Sequence, residues 1–268
     1  MVVVVKVGGS ILGDGVDASM LEDILKVASS EKLILVHGGG KEVTDFADRL
    51  GKKQRFIVSP GGSQSRFTDW ETVKIFTMVM TGVINKEIVS ALQKKGLAAI
   101  GLSGLDGGLI KADRKKKLII IDERKRKRVI EGGYTGKISE VNGNLLKILL
   151  GEGYLPVISP VAIGKDFEYL NVDGDRAAAY VAGGVKANSV IFLTDVNGVY
   201  MNDELIKKMS LSEAESLRSK MGFGMEKKVL ASTEALSMGV KESMIASGLT
   251  TNPITSALEG RECTVIIK

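Results

Sequence analysis

Short runs of β-branched and aliphatic residues alternate with amphipathic helical segments along most of the chain. This alternation is typical of an α/β fold with a largely parallel sheet, because parallel strands need crossover connections that are usually helical. The first run, residues 2–7, is too apolar to have one wet face, which predicts a central strand. We therefore expect a single α/β domain, a three-layer αβα sandwich around a largely parallel open sheet.

The amino-acid composition excludes several kinds of catalytic and metal-binding site. The chain has one cysteine and one histidine, so a disulfide framework and a histidine-rich zinc site are excluded, and a Ser-His-Asp triad is disfavoured. His37, the single histidine, is expected to be a hydrogen-bonded structural residue. The longest apolar runs are far shorter than the roughly 20 residues that span a bilayer, and no signal peptide precedes the first strand. We expect a cytoplasmic protein with no membrane partner.

The positive charge is concentrated in one segment. Residues 111–128 contain ten Lys or Arg and three acids, whereas the whole chain has a net charge of +5. Two basic runs flank a strand-like core at residues 118–121, which predicts a basic hairpin within residues 111–131. A nucleic-acid-binding segment would interleave aromatic residues for base stacking, and this one has none, so no nucleic acid partner is expected. A solvated hairpin edge protected by lysines is the plainer interpretation.

Three glycine-rich loops follow predicted strands, at residues 8–10, 38–40 and 103–108. Glycine backbones approach ligands closely, and consecutive N–H groups at a helix start bind anions. The carboxyl ends of parallel strands are also where open α/β sheets bind ligands. None of the loops matches a P-loop or a dinucleotide-binding motif. The loops therefore favour a different phosphate site, with tight strand-to-helix turns as the alternative.

Charged residues stand next to these loops. Lys6 interrupts an apolar strand just before the first glycine pair, which is costly unless its ammonium meets an anion or reaches solvent at the strand end. Asp173 and Asp175 lie at the start of a small-residue helix, where capping explains one of them and a magnesium or lysine-orienting role suits the other. Lys228 lies near another helix start, where the helix dipole disfavours a cation unless an anion is close.

Eight segments in this order resemble the amino acid kinase family, and within it the acetylglutamate kinase group. The segments are KVGGS (6–10), VHGGG (36–40), SRFTDWET (65–72), NKEIVSAL (85–92), GLSGLDG (101–107), NVDGDRAA (171–178), TDVNGVY (194–200) and GMEKKV (224–229). They extend over nearly the whole chain. The resemblance implies an enzyme that phosphorylates a side-chain carboxylate with ATP and Mg²⁺, giving an acyl phosphate.

The resemblance also implies roles for individual residues. The residues implied in catalysis are Lys6, Lys228 and Asp175, with Asp175 orienting the two lysines. The residues implied in binding the acyl substrate are Gly39, Gly40, Arg66 and Asn171. The residues implied in binding the nucleotide or its phosphates are Gly8, Gly9, Thr194, Asp195, Gly198 and Met225. Ser65, Phe67 and Thr68 are expected to line the pocket that sets substrate chain length.

Residues 60–66, 101–107 and 133–142 are closest to one branch of this group, the LysW-dependent kinases of lysine and arginine synthesis. Their substrate is glutamate or 2-aminoadipate whose amino group is attached to the C-terminal glutamate of a small acidic carrier protein, LysW. The hairpin cations Arg124, Lys125, Arg126, Lys127 and Arg128 are then expected to contact that carrier. N-acetylglutamate kinase remains the alternative.

The resemblance further implies an organisation into two lobes. Residues 1–160 would bind the acyl substrate and include the basic hairpin, and residues 161–268 would bind the nucleotide. Lys6 lies almost at the first residue, without the preceding helix through which arginine-inhibited relatives form rings. A homodimer is therefore expected.

Overall fold

The computed structural model describes residues 1–9, 17–62 and 64–268. Its strands, in chain order, are β1 (Val2–Val7), β2 (Lys32–His37), β3 (Arg55–Val58), β4 (Gln64–Phe67), β5 (Ala99–Ser103), β6 (Ile110–Arg114), β7 (Lys117–Ile121), β8 (Lys127–Glu131), β9 (Gly136–Val141), β10 (Leu155–Ser159), β11 (Val161–Ile163), β12 (Tyr169–Asn171), β13 (Ser189–Thr194), β14 (Tyr200–Met201), β15 (Glu204–Leu205), β16 (Lys208–Ser210), β17 (Glu242–Ser247) and β18 (Cys263–Ile267). The α-helices are α1 (Ala18–Ala28), α2 (Gly40–Arg49), α3 (Trp70–Thr77), α4 (Asn85–Lys94), α5 (Gly143–Gly151), α6 (Gly174–Val185), α7 (Leu211–Leu217), α8 (Phe223–Ser237) and α9 (Pro253–Leu258).

Within the described residues, the main sheet has eight strands in the order β16-β18-β17-β13-β1-β2-β10-β5. Six of them are parallel, and β18 and β16 run in the opposite direction at one edge. The expected largely parallel sheet and the central position of β1 are confirmed. The edge strand β16 was not expected from the sequence.

Alternate residues of the central strands enter two separate hydrophobic cores. Val4 and Phe192 pack in one core with α5, α6 and α8, whereas Val3 and Val5 pack in the other with α1 to α4 and α9. All four side chains are completely buried. Because successive strand residues point to opposite faces, burial of both sets requires helices on both faces. The three-layer sandwich follows directly from this pattern.

Side-chain caps start several helices. Asp17 precedes an amphipathic run and is predicted to cap α1, and the structure confirms this, with Asp17 accepting a hydrogen bond from Ser19 N. The spacing of Thr68 and Glu71 predicts a capping box that starts at Thr68. This is wrong by one residue, because the cap of α3 is Asp69, which accepts from Thr72 N at 2.8 Å.

The glycine at position 82 predicts a break between two helices, and the structure has no break there. The helix continues from α3 through a π-helical segment, Met78–Ile84, directly into α4. A π-helical turn accommodates an extra residue without ending the helix, and nothing in a single glycine distinguishes this outcome from a break. The wide turn places Met80 and Ile84 against Gly39 at the start of α2.

The basic segment forms a hairpin. β7 pairs antiparallel with β8, and this pair joins β3 and β4 in a second, four-stranded sheet. The first residues of the segment instead belong to β6, in a third sheet of order β12-β11-β6-β9. The hairpin is therefore shorter than predicted, residues 117–131.

One helical stretch, Trp70–Lys94, is long and apolar enough to cross a membrane by length and composition. Half of its most apolar window is buried inside the protein. Core helices of soluble proteins have the same property, so the stretch is weak evidence for a membrane span.

Candidate functional site

A cavity of about 750 Å³ opens at the carboxyl ends of β1 and β2. Parallel strands end on the same side of a sheet, so the loops that follow them converge there. The cavity is lined by eight of the residues expected at the site, Lys6, Gly9, Gly39, Gly40, Arg66, Asn171, Asp175 and Lys228. Residues distant in sequence thus share one chamber.

Two lysines in the wall of the cavity contact the same carboxylate. Lys6 Nζ lies 2.8 Å from Asp175 Oδ1, and Lys228 Nζ lies 3.4 Å from Asp175 Oδ2. The three side chains are only 11, 14 and 8% exposed, in the order Lys6, Lys228 and Asp175. Burial opposes ionisation of Asp175, yet the two ammonium groups hold its pKa below the ordinary value. Two cations and one anion leave an excess positive charge facing the cavity.

Local structure explains why Asp175 is available for this role. Asp173 caps α6, accepting hydrogen bonds from Asp175 N and Arg176 N at 3.0 Å each. Asp175 lies in the first helical turn, and its side chain turns toward β1 rather than to the helix end. The sequence left open which acid caps the helix, and the structure assigns that function to Asp173.

The first two glycine loops touch each other through their backbones. A Cβ atom on Gly38 would lie 2.8 Å from Gly9 N, and one on Gly9 would lie 3.0 Å from Gly39 N. Gly39 has a φ of 153°, and a Cβ there would lie 2.1 Å from Ile84 Cδ1. The chain therefore requires glycine at Gly39, and α2 begins immediately after it. Gly9, Gly39 and Gly40 line the cavity, and the N-terminus of α2 lies there, as an anion site needs.

Arg66 also lies in the wall of the cavity, where several hydrogen bonds hold its side chain. Its guanidinium donates to Gly40 O at 2.7 Å and to Thr44 Oγ1 at 2.9 Å, and it also donates to Gln54 Oε1. The planar group lies over the Phe56 ring, 5.1 Å from its centroid. These contacts orient the guanidinium, and among the described residues it forms no ion pair. It can therefore accept a substrate carboxylate.

Asn171 ends β12 beside the same cavity. Its Nδ2 donates to Thr68 Oγ1 at 3.1 Å, and its backbone N donates to Tyr134 O at 2.9 Å. Thr68 thus positions Asn171 and does not line the cavity. Phe67 is also outside, beneath the guanidinium of Arg55, so of the three expected chain-length residues only Ser65 lines the cavity.

His37 has a structural position, as the sequence indicates. It is 1% exposed, Asn85 Nδ2 lies 3.2 Å from its Nε2, and its Nδ1 lies 2.9 Å from Gly38 O. Asn85 Nδ2 also donates to Val157 O, so the neutral ring with a proton on Nδ1 satisfies every partner. Burial lowers the pKa of His37 to about 4. The imidazole is held neutral and tethers β2 to α4.

We expect the free energy of unfolding to fall by about 3 kcal/mol through His37 as the pH drops from about 6.5 to about 4. The folded protein resists protonation of this ring, so the unfolded state binds more protons in that window and stability rises with pH. Urea unfolding from pH 4 to pH 8, compared with the variant His37→Gln, measures the effect. An equal slope in both proteins would contradict it.

Several expected nucleotide residues lie outside this cavity. Thr194, Asp195, Gly198 and Met225 do not line it, and neither does Gly8. Thr194 ends β13, at the same edge of the sheet, and Met225 lies in the first turn of α8. A Cβ on Gly198 would lie 2.4 Å from Thr264 Oγ1, which itself accepts from Val199 N, so packing against β18 is sufficient to require this glycine. Ser10, of the first glycine loop, lies outside the described residues.

The third glycine loop, residues 103–108, also does not reach the cavity. Asp106 Oδ2 accepts hydrogen bonds from Ser103 N at 2.6 Å and Ser103 Oγ at 2.8 Å, which closes the loop on itself. A Cβ on Gly104 would lie 2.3 Å from Val161 O. The loop follows β5 at the edge of the sheet, two strands from β2. Its glycines serve close packing, and the alternative of a tight turn holds here.

Part of the positive charge of the hairpin is paired with an acidic residue in its own turn. Asp122 accepts hydrogen bonds from the backbones of Arg124 and Arg126 and from the side chains of Arg126 and Arg128. The hydrogen bond from Arg126 N and these cations hold the pKa of Asp122 at about 2. Among the described residues, Arg124, Lys125 and Lys127 form no ion pair. Two of the five expected carrier cations are thus partly neutralised within the turn.

Sequence reasoning did not single out Thr44 and Gln54, which orient Arg66, or Lys115, which lines the cavity. Lys115 stands in a run of three lysines, and no local signal separates it from Lys116. Among the described residues, no cluster of three or more His, Cys, Asp or Glu could hold a metal ion.

Comparison with known proteins identifies the family of the chain. The model of the family described as "Amino acid kinase family" matches residues 1–247. A protein of Nitrosopumilus maritimus is 57% identical over 264 residues, 98% of both chains. The [LysW]-aminoadipate/[LysW]-glutamate kinase of Metallosphaera sedula is 45% identical, over 97% of this chain and 98% of that protein. The kinase of the same name from Saccharolobus solfataricus is 43% identical, over 96% of each.

Solved structures share the fold at low identity. Carbamate kinase from Giardia lamblia bound to AMP-PNP has a TM-score of 0.71 at 18% identity, covering 100% of this chain and 98% of that one. N-acetylglutamate synthase from Neisseria gonorrhoeae, complexed with coenzyme A and N-acetyl-glutamate, has a TM-score of 0.79 at 20% identity, covering 100% of this chain and 59% of that one. With the family match over most of its length, the chain belongs to the amino acid kinase family.

Proposed function

We propose that the protein transfers the γ-phosphoryl group of ATP to the side-chain carboxylate of 2-aminoadipate or glutamate carried on LysW. The observation that carries this proposal is the chamber that Lys6, Asp175 and Lys228 share with Arg66. Relatives up to 45% identical that bear the name [LysW]-aminoadipate/[LysW]-glutamate kinase support the substrate. The product is an acyl phosphate, in lysine biosynthesis and, for the glutamate substrate, in arginine biosynthesis.

The chemistry suits a chain with one histidine. The substrate carboxylate is already an anion, so it attacks the γ-phosphorus without a general base. A bond forms from a carboxylate oxygen to phosphorus, the bond to the β–γ bridging oxygen breaks, and ADP leaves with that electron pair. Lys6 and Lys228 neutralise charge on the transferring group and the leaving oxygen. Asp175 contacts both lysines and is a positioning residue, and Arg66 with Asn171 holds the rest of the substrate.

We propose that a magnesium ion arrives with the nucleotide, bound mainly through its phosphates. Mg²⁺ usually keeps several waters and binds through substrate phosphates with one or two carboxylates, so a preformed cluster is not needed. When bound, the ion neutralises negative charge on the phosphates. We propose that residues 161–268 hold the nucleotide near Thr194, Asp195 and Met225, since Thr194 and Asp195 lie where β13 ends and Met225 lies in the first turn of α8.

We further propose that the hairpin of residues 117–131 binds the acidic carrier. Its cations stand on an exposed turn, and the hairpin also contributes Leu118, Ile119 and Ile120 to the wall of the substrate cavity. A carrier docked on the hairpin would therefore stand beside the chamber that receives its attached amino acid. We expect the enzyme to act in the cytoplasm as a homodimer, and exposed Met78 on the long helix is a candidate interface residue.

Replacing Arg124, Lys125 and Lys127 by Gln should slow association with the carrier about tenfold at low salt and flatten its salt dependence. These three cations have no acid partner within the described residues, so their removal leaves the Asp122 turn intact. Stopped-flow association at several salt concentrations measures the effect. A control replaces Lys26, Lys94 and Lys147, exposed on other helices, and removes the same charge. Equal slowing in both proteins would leave the hairpin without a specific role.

The decisive experiment traps acyl phosphate with hydroxylamine in the presence of ATP and Mg²⁺. Three substrates are compared, namely N-acetylglutamate, carrier-linked glutamate and carrier-linked 2-aminoadipate. We expect product from the carrier-linked substrates alone. Efficient turnover of N-acetylglutamate would make the protein an N-acetylglutamate kinase and overturn the proposal.

A further inference from the structure

Lys115 lies in the wall of the substrate cavity, in the short connection between β6 and β7, and its backbone is held by neighbouring residues. Its backbone N donates to Thr135 O at 2.9 Å. Its carbonyl lies against Gly132, where a Cβ would be only 1.4 Å from the Lys115 oxygen. The segment that carries Lys115 is therefore tied on both sides to β-structure and is not part of the exposed turn of the hairpin.

The ammonium of Lys115 has no counter-ion of its own. Among the described residues, no carboxylate forms an ion pair with it. Its surroundings are cationic, with Arg176, Lys137 and Lys227 nearby, and Arg176 is already paired with Glu234. Asp173, the acid whose charge acts on Lys115, caps α6. Like charges gathered in a cavity wall repel one another, and an anion that enters the cavity relieves this repulsion.

The pKa of Lys115 agrees with these surroundings. Burial lowers the pKa of Lys115, and the positive charges of Arg176, Lys137 and Lys227 lower it further, whereas the carboxylate of Asp173 raises it. An anion bound beside the ammonium would oppose both effects. The side chain remains open to solvent through the cavity, so a ligand can reach it.

The anion belongs with the acyl substrate rather than the nucleotide. The Thr135 carbonyl accepts from the Lys115 backbone and Thr135 forms a β-bridge with Asn171, and of the expected nucleotide and phosphate residues only Gly9 lines this cavity. An N-acetylated acidic amino acid has two carboxylates, of which one reacts and the other faces Arg66. Such a substrate leaves Lys115 without a partner.

We propose that Lys115 binds a carboxylate on the group that blocks the substrate's amino nitrogen. The proposal rests on the proposed function and extends it to a specificity-determining residue. An amino acid attached through the side chain of a C-terminal glutamate leaves the α-carboxylate of that glutamate free, whereas an acetyl group has no carboxylate. Lys115 thus distinguishes a carrier-linked substrate from an acetylated one at the junction itself, independently of the hairpin.

Two small substrates that differ by one carboxylate test this directly. One is N-acetyl-γ-glutamyl-2-aminoadipate, and the other is 4-acetamidobutanoyl-2-aminoadipate, which lacks the glutamyl α-carboxylate. The full-length enzyme should use the first about tenfold more efficiently, through a lower KM, as expected for one charged hydrogen bond in a solvent-open cavity. In Lys115→Met this preference should fall to about one, with the KM for ATP unchanged, and KM for carrier-linked 2-aminoadipate should rise to a similar extent.

Lys116→Met is the matched control, because Lys116 is the adjacent exposed lysine, carries the same charge and does not line the cavity. It should keep the wild-type preference. An unchanged preference in Lys115→Met, or an equal loss in Lys116→Met, would overturn the proposal. So would a raised KM for ATP with the preference intact, which would place Lys115 at the phosphates. If the wild-type enzyme uses N-acetylglutamate and no carrier-linked substrate, the proposed function itself fails, and the Lys115 assignment fails with it.

Discussion

Lys6→Met should lower kcat by about a hundredfold or more at saturating substrate, because a preorganised charge on the transition state is lost. Methionine preserves the length and most of the volume of the buried stem, so packing in β1 changes little. The Lys6 ammonium lies 2.8 Å from Asp175 and faces the cavity, and Lys228, 3.4 Å away, is then the only lysine contacting that carboxylate within the described residues. Single-turnover phosphoryl transfer, measured by quenched flow, isolates the chemical step.

A loss of stability could imitate this result, since Lys6→Met leaves Asp175 with one counter-ion. Breaking a buried ion pair typically costs about 3–5 kcal/mol. Asp175 keeps Lys228 as its counter-ion in this variant, so urea unfolding measures the remaining cost, and turnover is compared at a temperature where both proteins are folded. Lys32→Met, at the exposed start of β2, removes the same net charge and should behave as wild type. Wild-type turnover in Lys6→Met would remove this lysine from the mechanism.

Gly39→Ala should abolish most activity and lower the free energy of unfolding by about 1–3 kcal/mol. The added methyl group would lie 2.1 Å from Ile84 Cδ1, and the φ of 153° disfavours any residue with a Cβ. Relief of the clash would displace α2 and with it the backbone N–H groups that face the cavity. Steady-state turnover and urea unfolding of the same preparation measure the two effects.

Two further variants separate the local clash from a general response to alanine. Gly82→Ala lies in the π-helical segment, where an added Cβ meets nothing within 4 Å, and should retain both activity and stability. Gly39→Ala/Ile84→Val removes the Cδ1 atom that the new methyl group meets. It should recover part of the lost stability, with the backbone strain at Gly39 remaining. A double variant as defective as Gly39→Ala would contradict the assigned clash.

The fold was largely predictable because the central strands are apolar on both alternating faces. Val2–Val7 and Lys32–His37 leave no polar face for solvent, so helices on both sides of a parallel sheet are required. The motif order also predicted Lys6, Arg66, Asn171, Asp175 and Lys228, which the structure brings together. Charged residues placed directly after strands share the edge where parallel strands end, which is why this prediction needs no long-range information.

Other features depend on contacts that no local pattern encodes. The predicted break at Gly82 was wrong, because a π-helical turn and a helix end look alike around one glycine. The third glycine loop resembled the other two, and its place at the sheet edge, rather than its composition, keeps it away from the cavity. Thr68 was expected in the pocket and instead supports Asn171 from outside.

The sequence by itself determined the αβα architecture and the family and indicated the two lysines proposed to neutralise phosphoryl charge, since these follow from periodicity and from residues in fixed order along the chain. Tertiary structure alone decided which charges are compensated. Asp122 forms ion pairs with Arg126 and Arg128, and Glu234 forms one with Arg176. Lys115 forms no ion pair with a carboxylate among the described residues. Ion pairing depends on distances of a few ångströms between residues that can be far apart in sequence, and the composition contains no information about those distances.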